Sequence, residues 1–229
     1  MSDLLQEIDE ALKRERAEKL WREYGPILIG GAVFLVVLTG VFAGWNSWKH
    51  KHNAEQTGLL ISALETPYPE TALKAVGETL SGDHKALAQL QLAGYLAQNE
   101  KYDEALAQYK EIAGQRGIQP AWRDLAILMA ARLEWNEGVE KEKAQAIYAT
   151  LKPLLAKNNP WRLHAAIQAA LIAGDSLGDY KTAIQLLADP VNGTNVPASL
   201  QSRARALDHF YAMKLSAAAK PDATNQQKG

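Results

Sequence analysis

The chain has 229 residues, with 25 Lys or Arg against 26 Asp or Glu for a net charge of −1 at pH 7, and no cysteine. A near-neutral chain lacks the basic face that phosphate binding needs, so nucleic acid is not expected as a partner. The missing cysteine excludes disulfides, thiolate catalysis and Cys-ligated metal, and suits a bacterial periplasm.

Residues 1–24 read as an amphipathic tail, helical from residue 2, with Ser2 or Asp3 as N-cap and Leu4, Leu5, Ile8, Ala11 and Leu12 on one apolar stripe. Glu10 and Arg14 stand at the favourable i,i+4 spacing on the opposite face. Gly25-Pro26 ends or bends that helix, because proline disfavours α geometry in the residue before it.

Residues 25–48, GPILIGGAVFLVVLTGVFAGWNSW, carry no charged side chain, and eleven of them are Ile, Leu, Val or Phe. As a helix the stretch reaches roughly 36 Å, enough to cross a hydrocarbon layer of about 30 Å with some tilt. Tyr24 at one end and Trp45 and Trp48 at the other fit an aromatic belt, so a transmembrane helix is expected rather than a buried core helix. Val41-Phe42-Ala43 offers a small-residue cleavage pattern, but the segment before the span is longer and more acidic than a signal-peptide n-region, which favours an uncleaved signal anchor. Lys13, Arg14, Arg16, Lys19 and Arg22 precede the span and only Lys49 and Lys51 follow it closely, which puts the N-terminus in the cytoplasm and the rest across the membrane. Within the span, Gly40 and Gly44 form a small-xxx-small pair where a second copy or another membrane protein can approach closely.

Residues 49–80 read as membrane-proximal helices. Lys49-His50-Lys51-His52 is a snorkelling collar rather than a metal run, since histidines at i,i+2 do not share a helix face and the lysines repel a cation. Thr66-Pro67-Tyr68-Pro69 ends the first helix, a short helix follows through Leu80, and Ser81-Gly82-Asp83 is the next turn.

From residue 81 to 218 the chain repeats itself. Ala105, Ala144 and Ala183 are separated by two steps of 39 residues, and the same offset superposes Trp122-Arg123 on Trp161-Arg162. A large side chain stands four residues after each alanine: Tyr109, Tyr148 and Leu187. Each unit reads as two amphipathic helices joined by a turn, at Asn99 to Lys101, Asn136 to Gly138 and Gly174 to Asp179, with Pro120 and Pro160 opening first helices. The alanine lets paired helices approach and the large residue fills the gap to the next unit. A helix from about Pro197 to Ala218 follows a loop at Asp189 to Asn195 and caps the array, and residues 219–229 read as a disordered tail. The expected fold is all-α: one transmembrane helix, then a helical solenoid.

Tyr102-x-x-Ala105-x-x-x-Tyr109, with Leu92 and Ala93 in the preceding helix, resembles a tetratricopeptide repeat, and Tyr180-x-x-Ala183-x-x-x-Leu187 is a weaker copy. The middle unit departs from the pattern, with Lys141 at the aromatic position and Arg132 where a small residue should pack. Over nearly its full length, from Leu20-Trp21-Arg22-Glu23-Tyr24-Gly25-Pro26 through the span and repeats to Arg203-Ala204-Arg205-Ala206-Leu207, the chain resembles the bacterial YfgM-like family of ancillary SecYEG translocon subunits. The resemblance implies an inner-membrane protein whose periplasmic repeats help pass exported proteins to periplasmic chaperones, with translocon subunits, chaperones or exported clients as partners.

No GxSxG, P-loop, HExxH or GxGxxG occurs, and His84, His164 and His209 are scattered without a carboxylate at a site-forming spacing. No enzyme, metal or cofactor is expected. A solenoid offers a groove instead: if the first helix of each unit lines the concave face, Leu87, Leu90, Gln98, Gln168 and Asp175 are the candidate partner contacts, against the alternative that the leucines are inter-helix core. The function expected is a membrane-anchored, protein-binding adaptor accessory to the translocon. The alternative is a structural scaffold of another envelope complex.

Overall fold

The computed structural model describes Trp48 and residues 51–135 and 139–219, and among these residues every regular element is a helix. The tail of residues 1–24, the span at 25–48 apart from Trp48, its Gly40 and Gly44, the collar's Lys49 and His50, the turn at 136–138 and the end of the chain from residue 220 lie outside the described residues. Among the described residues no helix is long and apolar enough to cross a membrane.

The chain divides into two compact units, Met1–Gly58 and Leu59–Gly229. Of the first, Trp48 and residues 51–58 are described and helical, with the Trp48 ring stacked on His52 at 5.5 Å. The second opens with helical residues 59–64 (α1) and continues through α2 (Pro69–Thr79), α3 (Gly82–Gln98), α4 (Tyr102–Gly114), α5 (Pro120–Glu134), α6 (Lys141–Leu151), a 3₁₀ turn (Lys152–Leu155), α7 (Arg162–Leu171), a π turn (Ile172–Ser176), α8 (Tyr180–Asn192) and α9 (Ala198–Ala218).

Proline at the first position starts α2 and α5, where the missing N–H has no intrahelical partner to lose. Asp179 caps α8, accepting a hydrogen bond from the Thr182 backbone N–H at 3.0 Å, and the Thr182 side chain followed by that N–H holds its carboxyl below the usual range. The turn after α3 closes with Lys101 N–H on the Leu96 carbonyl and Glu100 N–H on Ala97, the paired bonds of a Schellman cap, with Glu100 itself left-handed at φ 61°.

Packing follows chain order. Each helix from α2 to α5 lies on its sequence neighbours, α7 packs on α8 and α8 on α9, while the first helices of successive pairs also touch, α3 on α5 and α5 on α7. Ala105, Ala144 and Ala183 are all 0% exposed, so the 39-residue step carries one structural role: a methyl-sized residue where the second helix of a pair meets its neighbours. Tyr109 and Leu187 are buried beside them, and half-buried Tyr148 bridges two clusters with the Lys152 ammonium over its ring at 5.5 Å. The core is four contiguous clusters, from Ala63, Leu73 and Leu96 at one end to Ile167, Leu187 and Tyr211 at the other. Fully burying each Leu, Ile or Tyr there stabilises by about 1.5–3 kcal/mol.

Four local expectations need correction. Gly82 and Asp83 belong to α3, not to a turn: the Asp83 carboxylate sits in the helix's first turn, where negative charge is favoured, and accepts from Gln119 N–H at 2.8 Å and its Nε2 at 2.7 Å. Pro160 lies two residues before α7, which starts at Arg162. Gly174 continues α7 as part of the π turn, and the reversal comes at Gly178, whose φ of +69° suits glycine. Helix α8 runs through Asp189 and buried Pro190 to Asn192, because a proline in the last turn forfeits only one helical bond. Glu134 pairs with Lys110 across α4 and α5.

Candidate binding cleft

At Gly174 a side chain of α9 comes into close contact with the backbone. The Tyr211 ring lies over it so tightly that a Cβ on Gly174 would stand 2.4 Å from Tyr211 Cε1. The phenol donates to Asp175 Oδ1 at 3.1 Å, and burial together with the Asp175 charge pushes the Tyr211 hydroxyl far above its ordinary 10.0. Trp135 Nε1 closes the other side of the π turn by donating to Ser176 Oγ at 2.9 Å. The π turn therefore gives α9 a socket.

Half a helix away the same two elements leave a gap. Leu125, Leu128, Met129 and Arg132 of α5, Trp161, His164, Ile167 and Gln168 at α7, and Leu200 and Arg203 of α9 line a cleft of about 210 Å³. Its floor is aliphatic and aromatic, and its rim carries two exposed guanidinium groups. Neither Arg132 nor Arg203 has an ion-pair partner among the described residues, in contrast to Arg162, which pairs with Asp189. Trp161 is fixed by its Nε1 donating to the Ala121 carbonyl at 2.7 Å, and exposed His164 meets its ring edge-on at 5.9 Å. Burial pushes the Tyr109 phenol up, and the Arg132 charge pulls it the other way.

One polar group in the wall stands out. Gln168 is 6% exposed and its Nε2 has no hydrogen-bond partner, a position shared among the described residues only by Trp122 Nε1. A buried N–H left without an acceptor costs about 1–3 kcal/mol, and the stacked helices tolerate this one at the edge of an open cleft.

The five candidate contacts do not form one face. Gln168 lines the cleft; Leu90 is core, packed with Ala86, Tyr109 and Ala126; Leu87 is half-buried on α3; Gln98 is exposed at the C-terminal end of α3; and Asp175 serves the Tyr211 contact. Leu90 fails for a packing reason: it is buried in a cluster with Tyr109 and Ile112 of the second helix α4. Three cleft residues absent from that set had left a signal in the sequence. Arg132 breaks the repeat pattern where a small residue should pack, Trp161 is a repeated tryptophan, and Arg203 opens the Arg-Ala-Arg run of the last helix.

The cleft is smaller than the ~300–1,000 Å³ of sites that enclose a cofactor-sized ligand. Among the described residues no group of three His, Cys, Asp or Glu side chains could hold a metal. Comparison of the chain with family models, with curated proteins and with solved structures found no match.

Proposed function

We propose that the chain is a membrane-anchored, protein-binding adaptor of the YfgM-like type, held in a bacterial inner membrane by residues 25–48, with its N-terminus cytoplasmic and a tetratricopeptide-like solenoid in the periplasm. It is no enzyme on this reading, and works beside the Sec translocon by contacting translocon subunits, chaperones or exported clients. The observation that carries the binding role is the cleft between α5, α7 and α9, an apolar floor with an unsatisfied amide and, at its rim, two guanidinium groups without an ion-pair partner among the described residues. Such a surface is stabilised by a partner, and helices stacked in chain order present it without needing to move. The anchor rests on the uncharged 24-residue stretch and its aromatic ends.

Site-specific photocrosslinking in native membranes tests this reading, with one probe in the span beside Gly40 and one at the cleft in place of His164. Translocon subunits at the first and chaperones or exported chains at the second are the expected products. A stable envelope assembly at both probes, with no translocon, would instead make the chain a structural scaffold.

A further inference from the structure

We infer that the α5/α7/α9 cleft recognises an internal, extended polypeptide segment in which a large aliphatic side chain is flanked by Asp or Glu. This deepens the adaptor reading and rests on it. Leu125, Leu128, Met129, Ile167 and Leu200 give an apolar seat with room for one or two side chains and too little for a cofactor. Arg132 comes from α5 and Arg203 from α9, so a guanidinium with no ion-pair partner among the described residues borders the seat from each of two helices. An internal segment places a carboxylate on both sides of its anchor, matching two cations on two elements, whereas a chain terminus offers its charge on one side only. Gln168 adds a donor the fold leaves unmet: its Nε2 is covered in the cleft wall without an acceptor, and a turn of the side chain on binding brings it to a peptide carbonyl of the bound segment. The near-neutral chain and only two rim cations argue against a polyanion as the occupant.

The test uses the full chain in lipid nanodiscs and fluorescein-labelled, C-terminally amidated peptides of sequence Gly-Ser-Glu-Leu-Glu-Ser-Gly, read by anisotropy. Replacing both glutamates by glutamine is expected to weaken binding by about tenfold, the loss of one charge-assisted contact or more. The double variant Arg132→Gln with Arg203→Gln is expected to abolish that preference, and Gln168→Leu to weaken both peptides alike, each with circular dichroism and melting temperature retained. Equal binding of acidic and neutral peptides, a neutral peptide with a free C-terminal carboxylate binding as well as the acidic one, or displacement by vesicles of anionic lipid would each overturn the inference. The adaptor reading fails separately: it falls if the membrane crosslinks lack polypeptide clients and translocon, whatever these peptides do.

Discussion

Helix α9 meets α7 and its π turn in two ways. Its second half is seated: Tyr211 is fully buried, its ring on Gly174 and its hydroxyl on Asp175. In its first half Ala204 is buried in the same core, while Leu200, packed against that core, and Arg203 also border the cleft, where Gln168 keeps an unmet donor. One helix thus carries a contact with every group satisfied and, two to three turns earlier, a surface with groups to spare. Closed packing fixes the helix so that the open surface can hold its shape.

The seated contact should be the costlier to break. Tyr211→Ala removes the largest fully buried side chain among the described residues and is expected to destabilise by about 3–5 kcal/mol in urea unfolding. Gly174→Ala attacks the same contact from the other side, driving a methyl into the ring, at about 1–3 kcal/mol. Because both changes act on one contact, the pair should not be additive: in a Tyr211→Leu background the added methyl at Gly174 should cost little. Additive values would mean that the ring and the glycine are not coupled.

The hydroxyl gives a smaller and pH-dependent effect. Tyr211→Phe should cost about 1 kcal/mol through the lost bond to Asp175. Because the folded state holds the phenol's proton far more tightly than the unfolded chain, this contribution is whole below the ordinary 10.0 and drains away as the pH rises above it. Alkaline unfolding should therefore begin at higher pH in the Phe variant; an unchanged onset would remove Tyr211 from the account.

At the cleft the sign reverses. Gln168→Leu removes a buried donor without an acceptor, so the variant is expected to be more stable by about 1 kcal/mol while losing affinity for the acidic peptide. Stability falling together with binding would instead assign Gln168 to the structure. Tyr211 and Gln168 variants, measured side by side, separate a contact that holds the fold from one held ready for a partner.

The repeat was legible because it rests on small residues: Ala105, Ala144 and Ala183 can pack only one way against a neighbouring helix, and their spacing shows in the sequence. The socket was not. Gly174 reads as a turn signal, and only the arrival of Tyr211, 37 positions later, makes it the floor of a contact. Leu90 and Gln168 lie on first helices and look equally available, yet the core takes one and the cleft the other, since which face opens depends on how far apart α5, α7 and α9 stand. Arg132 was visible as an exception to the repeat. An exception that remains exposed beside an apolar seat is a better pointer to a site than any residue that keeps the pattern.

The other end of the stack is joined by charge where α9 is joined by an aromatic ring. Glu70 on α2 accepts from Lys74 at 2.8 Å and from Lys101 at 2.8 Å, the latter placed by the left-handed cap at Glu100. Those two bonds, Lys101 first, hold the Glu70 carboxyl at about 2 rather than 4.5. A depressed carboxyl contributes stability that is whole above 4.5 and lost as the pH falls from there towards 2. Glu70→Gln should accordingly melt slightly below the unsubstituted chain at pH 7, an exposed ion pair being a weak staple, and the gap should close between pH 4.5 and 2. Salt at pH 7 should close it too, because the charges are open to screening. Neither treatment should move the Tyr211 contact, so a gap indifferent to both acid and salt would mean that α2 is held by the packing of Leu73 alone.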